Sequence, residues 1–280
     1  MAGDGKVPIN VSVRAAFTFL QSSLPQTWRA GVLLAVLTTF AQAAVNPNDT
    51  LAGFGLFFLA EAGWVVYLAY LLRLALRQDG AGFMGLRFGA DEARLLGVLA
   101  TLAFLVLLMT IVGVIVFSFV LTMTLTKNGI DPRTLENNPK AMEEFIRSAL
   151  AGADGFMLIA VLLFFGALIV WLLGRLSLAY AATMGEGRFM ALSTFSWTKG
   201  NLLHVLAVLF LVATPILSAT LIVGAIAPTK PGGGSALLQV VEMLALQLVQ
   251  FCIQAPLSAG AYAFLYKGLR PPNLAAPRAP

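Results

Sequence analysis

Met184-Gly-Glu-Gly-Arg-Phe-Met-Ala-Leu-Ser-Thr-Phe-Ser-Trp-Thr-Lys-Gly-Asn-Leu-Leu-His204 joins two long apolar runs, Phe156 to Tyr180 and Leu202 to Ile226. Each run is long enough to cross a bilayer, which takes roughly 20 apolar residues as helix. The stretch between them carries Arg188, Trp197 and Lys199, the basic and aromatic side chains that collect where a span leaves the membrane. It reads as a connector at a membrane face, and the chain around it repeats the pattern.

Of the 280 residues, 59% are hydrophobic and only 11% are charged, more apolar surface than a water-soluble domain of this length could cover. Strands crossing as a barrel would show short alternating segments, and there are none. The expected fold class is therefore all-α: a polytopic transmembrane bundle of six spans, with interfacial amphipathic helices on the cytoplasmic side. One transmembrane domain covers residues 1–270, with spans at about 30–45, 51–76, 95–126, 156–180, 202–226 and 236–266. The proline-rich residues 271–280 form a disordered tail.

Ahead of the first span, Val13, Phe17, Leu20 and Leu24 recur at helical spacing, and the pattern predicts an interfacial helix that Pro25 ends. Asn138-Pro139 supplies an N-cap and a first-turn proline for a short surface helix in the polar segment 127–154. Pro215 predicts a kink in the fifth span, and Pro256 interrupts the sixth. Thirteen of the 18 Lys and Arg side chains fall on one side when both termini share it. The positive-inside bias then puts both termini in the cytoplasm of a bacterial inner-membrane protein. The same bias accounts for the formal charge of +5, so nucleic acid is not an expected partner.

Phe17 with Leu20, Phe83 with Leu86, and Phe189 with Leu192 each precede an odd-numbered span, with Arg29, Arg94 and Asn201 following 11 or 12 positions after the phenylalanine. That spacing suggests a triple repeat of an interfacial helix and a helical hairpin. Any connector on that face would also contain such residues, so both readings stand.

The motif Ser196-Trp197-Thr198-Lys199-Gly200-Asn201 resembles one found ahead of the fifth span in a six-span bacterial membrane domain. That domain is attached to some glycerophosphodiester phosphodiesterases and also occurs in related standalone proteins of uncharacterised function. The resemblance implies a membrane module that supports other machinery. It implies no phosphodiesterase activity, because no soluble catalytic domain or His-Arg and Glu-rich motif is present.

Arg14, Arg87, Arg94, Arg188, Trp197 and Lys199 are the candidates for holding an anionic lipid or a partner at the inner face. On the sixth span, Gln239, Gln247, Gln250 and Gln254 fall within about an 80° arc at 100° per residue, with Glu242 at its flank. They either bond helix to helix or line a polar path. Asp79-Gly80-Ala81-Gly82 lacks the lysine and hydroxyl of a phosphate loop. His204 and Cys252 have no companions for a metal site. With no catalytic set in view, neither a cofactor nor an enzyme is expected. The expected function is that of a non-catalytic scaffold, accessory subunit or anionic-lipid-binding module. Its partners would be membrane lipids and another membrane protein or a second copy. The alternative is a transporter or channel for a small solute that uses the glutamine stripe.

Overall fold

The computed structural model describes residues 7–44, 50–77, 84–127, 140, 147, 153–226 and 236–272. Among them the regular structure is helical, with no strand. The elements are α1 (Ile9–Ala44), α2 (Thr50–Arg77), α3 (Ala90–Lys127), α4 (Ala153–Leu176) and α5 (Ala179–Glu186). A 3-10 turn (Ser193–Ser196) follows, then α6 (Leu202–Ile226), α7 (Ala236–Val249), a π turn (Gln250–Gln254) and α8 (Ala255–Leu269). Four stretches are long and apolar enough to cross a membrane: Ala90–Lys127, Gly155–Glu186, Leu202–Ala225 and Leu237–Leu269.

Contacts divide the chain into two compact units. In the larger, drawn from Met1–Leu99 and Gly174–Pro280, α1 packs along α8, flanked by α2, α6 and α7. Small residues set the approach: a Cβ on Gly260 would lie 2.9 Å from the Phe19 Cβ and 3.2 Å from the Ala16 Cα. Close packing across small residues is the usual way helices associate in lipid, where apolar burial alone gives no advantage. The core holds Leu71, Leu72, Ala181, Ala182, Met184 and Phe251, together with the buried Tyr67 and Tyr70.

The smaller unit, Ala100–Leu173, takes α3 from Ala100 onward and α4 as far as Leu173. Gly113 receives the Phe165 ring, to which an added Cβ would come within 3.1 Å. Phe104, Ile115, Phe119, Leu163 and Phe164 are exposed, a surface that suits acyl chains and not water.

One expectation is corrected. Pro25 does not end a helix: α1 runs unbroken through it for 36 residues, about 54 Å at 1.5 Å per residue. The bond that a proline at 25 removes is the one to the carbonyl of Gln21, and both residues are exposed. Water or headgroups can therefore satisfy that carbonyl. Ahead of Pro256 the α-helix of the sixth run gives way to a π turn and resumes as α8. α6 contains Pro215 within its range. The surface helix expected after Pro139, residue Phe83 and residues 273–280 lie outside the described residues.

Candidate functional site

The larger unit carries ion pairs where α2 finishes, α3 starts and α5 and α8 finish. α2 ends with Arg73 and Arg77, one helical turn apart and on one face. Opposite them, α3 opens with Asp91 and Glu92, acids placed where the helix dipole favours negative charge. Glu92 Oε2 accepts a 2.9 Å bond from the Gly89 N–H, the reciprocal half of a capping box.

Glu92 Oε1 is ion-paired to Arg73, and both side chains are fully buried. Arg73 Nη2 also donates to the Gly85 carbonyl at 3.3 Å. Gly85 has a φ of +78° and sits so tightly on the Tyr70 ring that an added Cβ would overlap it. Arg77 Nη1 pairs with Asp91 Oδ2 at 3.1 Å, and its Nη2 donates to the Met184 carbonyl. Arg94 Nη1 holds Asp91 Oδ1 at 2.9 Å.

A second clamp fastens α8 to the end of α5. Glu186 Oε1 accepts from the Tyr266 hydroxyl at 2.8 Å and from Arg270 Nε at 2.6 Å. Those bonds push the Arg270 guanidinium up from its ordinary pKa, so both partners stay charged. Gly185 lies directly against the Tyr266 ring, and Trp197 tilts against its other side with centroids 6.2 Å apart.

Deeper in the same unit, the π turn has a specific partner. The Ala255 N–H bonds to the Gln250 carbonyl, five residues back, and position 256 is a proline with no N–H to offer. The Phe251 carbonyl therefore has no donor in its own helix. Tyr67 of α2 supplies one from its hydroxyl at 3.0 Å. Gly31 of α1 makes room for this contact, since an added Cβ there would meet Cys252 Sγ at 3.0 Å and the Tyr67 hydroxyl at 3.1 Å.

The proposed inner-face residues separate into two sets. Arg94 is held by Asp91, and Trp197 is half-buried against Tyr266. Arg14, Arg87, Arg188 and Lys199 are exposed. Val7 N–H donates to Asn201 Oδ1 at 3.0 Å, which brings the start of α1 beside the connector that carries Arg188 and Lys199.

The glutamines do not share one environment. Gln239 is exposed, Glu242 and Gln250 are half-buried, and Gln247 Nε2 donates to Gln42 Oε1 of α1 at 3.4 Å. Gln254 is buried and donates to Ser258 Oγ at 3.0 Å, leaving its own Oε1 without a partner in the protein. Among the described residues no three His, Cys, Asp or Glu side chains are grouped to hold a metal ion.

The two clamps escape a reading of the sequence that counts Arg73, Arg77 and Arg270 only as membrane-side cations. The available signal was the pairing of Arg73 and Arg77 with the acids Asp91 and Glu92 across a short connector.

An all-helical bundle with four helices able to span a membrane and an ion-paired polar end defines the class, an integral-membrane helical protein. No family model, curated protein or solved structure matches the chain.

Proposed function

We propose that the protein is a non-catalytic module of the bacterial inner membrane, a scaffold or accessory subunit that holds anionic lipid at its cytoplasmic face. In this reading α1 and α2 also cross the bilayer, giving six spans with both termini in the cytoplasm. The resemblance of the Trp197-Thr198-Lys199-Gly200-Asn201 motif points the same way.

One observation carries the reading. At the polar end, the described acids Asp91, Glu92 and Glu186 are each bonded to an arginine, whereas Arg14, Arg188 and Lys199 are exposed. The acids are used up inside the fold, and the exposed surplus is positive. At headgroup level each such cation is attracted by about 1 kcal/mol to an anionic leaflet. The transporter alternative needs the glutamines to line a common path, and the exposed Gln239 and buried Gln254 give it less support.

The test is native mass spectrometry of the protein released gently from its own membrane. Stoichiometric anionic phospholipid or a co-purifying protein is the expected result. Combining Arg14→Gln, Arg188→Gln and Lys199→Gln should remove the lipid. A bare monomer, or lipid retention that ignores the three substitutions, would overturn the reading.

A further inference from the structure

From Leu192 to Asn201 the connector between α5 and α6 folds with a period of three. Successive N–H groups bond three residues back: Phe195 to Leu192, Trp197 to Thr194, Lys199 to Ser196 and Asn201 to Thr198, at 3.0–3.2 Å. With three residues per turn, side chains at i and i+3 eclipse each other. The strip therefore has three straight edges.

Each edge has its own chemistry. Ala191 and Thr194 are buried and Trp197 is half-buried, so one edge faces the bundle. Ser193, Ser196 and Lys199 are exposed and polar. The third edge is apolar and uncovered, with Phe189 50%, Leu192 61% and Phe195 37% exposed. Three large apolar side chains left exposed side by side are costly in water.

The strip's position fixes what it meets. It is fastened to the ends of two membrane-length helices, through the Thr198 hydroxyl donating to the Arg175 carbonyl at 3.4 Å and through Asn201 leading directly into α6. Arg175 lies over the Phe195 ring at 5.4 Å. Leu203, Phe210 and Leu211 of α6, which follows the strip, are exposed as well. Arg188 opens the strip and Lys199 closes it, and both are exposed.

We propose that residues 188–199 form an interfacial anchor, lying along the membrane surface. Phe189, Leu192 and Phe195 are immersed among acyl chains, while Arg188, Ser193, Ser196 and Lys199 meet the headgroups of anionic phospholipid. An amphipathic element of this kind binds through its buried apolar edge plus attraction to anionic lipid. The anionic part rests on the reading under Proposed function; the immersion of the apolar edge does not.

The test is a depth scan in lipid nanodiscs. In a Cys252→Ala background, single substitutions Phe189→Cys, Leu192→Cys, Phe195→Cys, Ser193→Cys, Ser196→Cys and Lys199→Cys are labelled with an environment-sensitive fluorophore. In purely zwitterionic lipid, positions 189, 192 and 195 should give blue-shifted emission and roughly twofold stronger quenching by acyl-chain-brominated lipid than 193, 196 and 199. Equal, water-like emission at all six, or a pattern without the three-residue repeat, would overturn the anchor.

Adding phosphatidylglycerol should deepen the label at 192, and Arg188→Gln with Lys199→Gln should abolish that deepening. If the repeat holds but phosphatidylglycerol changes nothing, the anchor stands and the anionic-lipid reading fails. The two failures are thereby told apart.

Discussion

The Tyr67 hydroxyl donates at 3.0 Å to the Phe251 carbonyl, an acceptor that Pro256 and the π turn together deprive of its helical donor. Tyr67→Phe should therefore cost about 1–2 kcal/mol, the price of leaving a buried carbonyl unbonded. Unfolding in mixed detergent micelles checks this. In a Pro256→Ala background a backbone N–H becomes available, and the same substitution should cost clearly less. An identical cost in both backgrounds would mean the carbonyl is not what the hydroxyl serves.

Gly31 is required by approach and not by backbone conformation. Gly31→Ala forces a Cβ to 3.0 Å from Cys252 Sγ and 3.1 Å from the Tyr67 hydroxyl, and overpacking of this kind costs about 1–3 kcal/mol. Removing the sulfur with Cys252→Ala should recover part of the loss. If the double variant is no more stable than Gly31→Ala alone, the crowding lies elsewhere.

Gly85 and Gly200 both have positive φ, +78° and +82°, but only Gly85 is also crowded, by the Tyr70 ring. Gly200→Ala should cost about 1–2 kcal/mol of backbone strain. Gly85→Ala adds a steric clash and should lower the unfolding midpoint further. Comparing the two midpoints checks the ranking.

Arg73 and Glu92 are buried together. Arg73→Met leaves a buried carboxylate uncompensated and should destabilise by about 3–5 kcal/mol, whereas Arg73→Met with Glu92→Met should recover most of it. A double variant as unstable as the single would show that the pair's value is more than mutual compensation.

Patterns that depend only on local composition were legible. The span expected at 202–226 coincides with α6, because an unbroken apolar run sets helix extent by itself once the polar Gly200-Asn201 precedes it. The span at 95–126 lies within α3, and that at 236–266 within the stretch from α7 to α8. The fourth run was placed correctly but continues past a break at Ser177 and Leu178 into α5. The connector quoted first was read only as lying at a membrane face; that its residues 192–201 turn with i to i−3 hydrogen bonds was not legible.

What the amino-acid sequence determined alone was the all-helical class and the positions of the most apolar helices, since transfer into lipid is decided residue by residue. Only the tertiary structure decided how the prolines are accommodated. Pro25 stays inside α1 where both it and Gln21 are exposed, and Pro256 is tolerated because Tyr67, 184 residues before Phe251 in sequence, bonds the Phe251 carbonyl it abandons. The π turn also changes the arithmetic of the glutamine arc. One extra residue in a turn rotates everything after it by about 100°, so Gln254 no longer keeps the phase that Gln239 and Gln247 set. The ion pairs follow the same logic, because which arginine meets which acid is a matter of distance between helices, and hydrophobic periodicity carries no information about that distance.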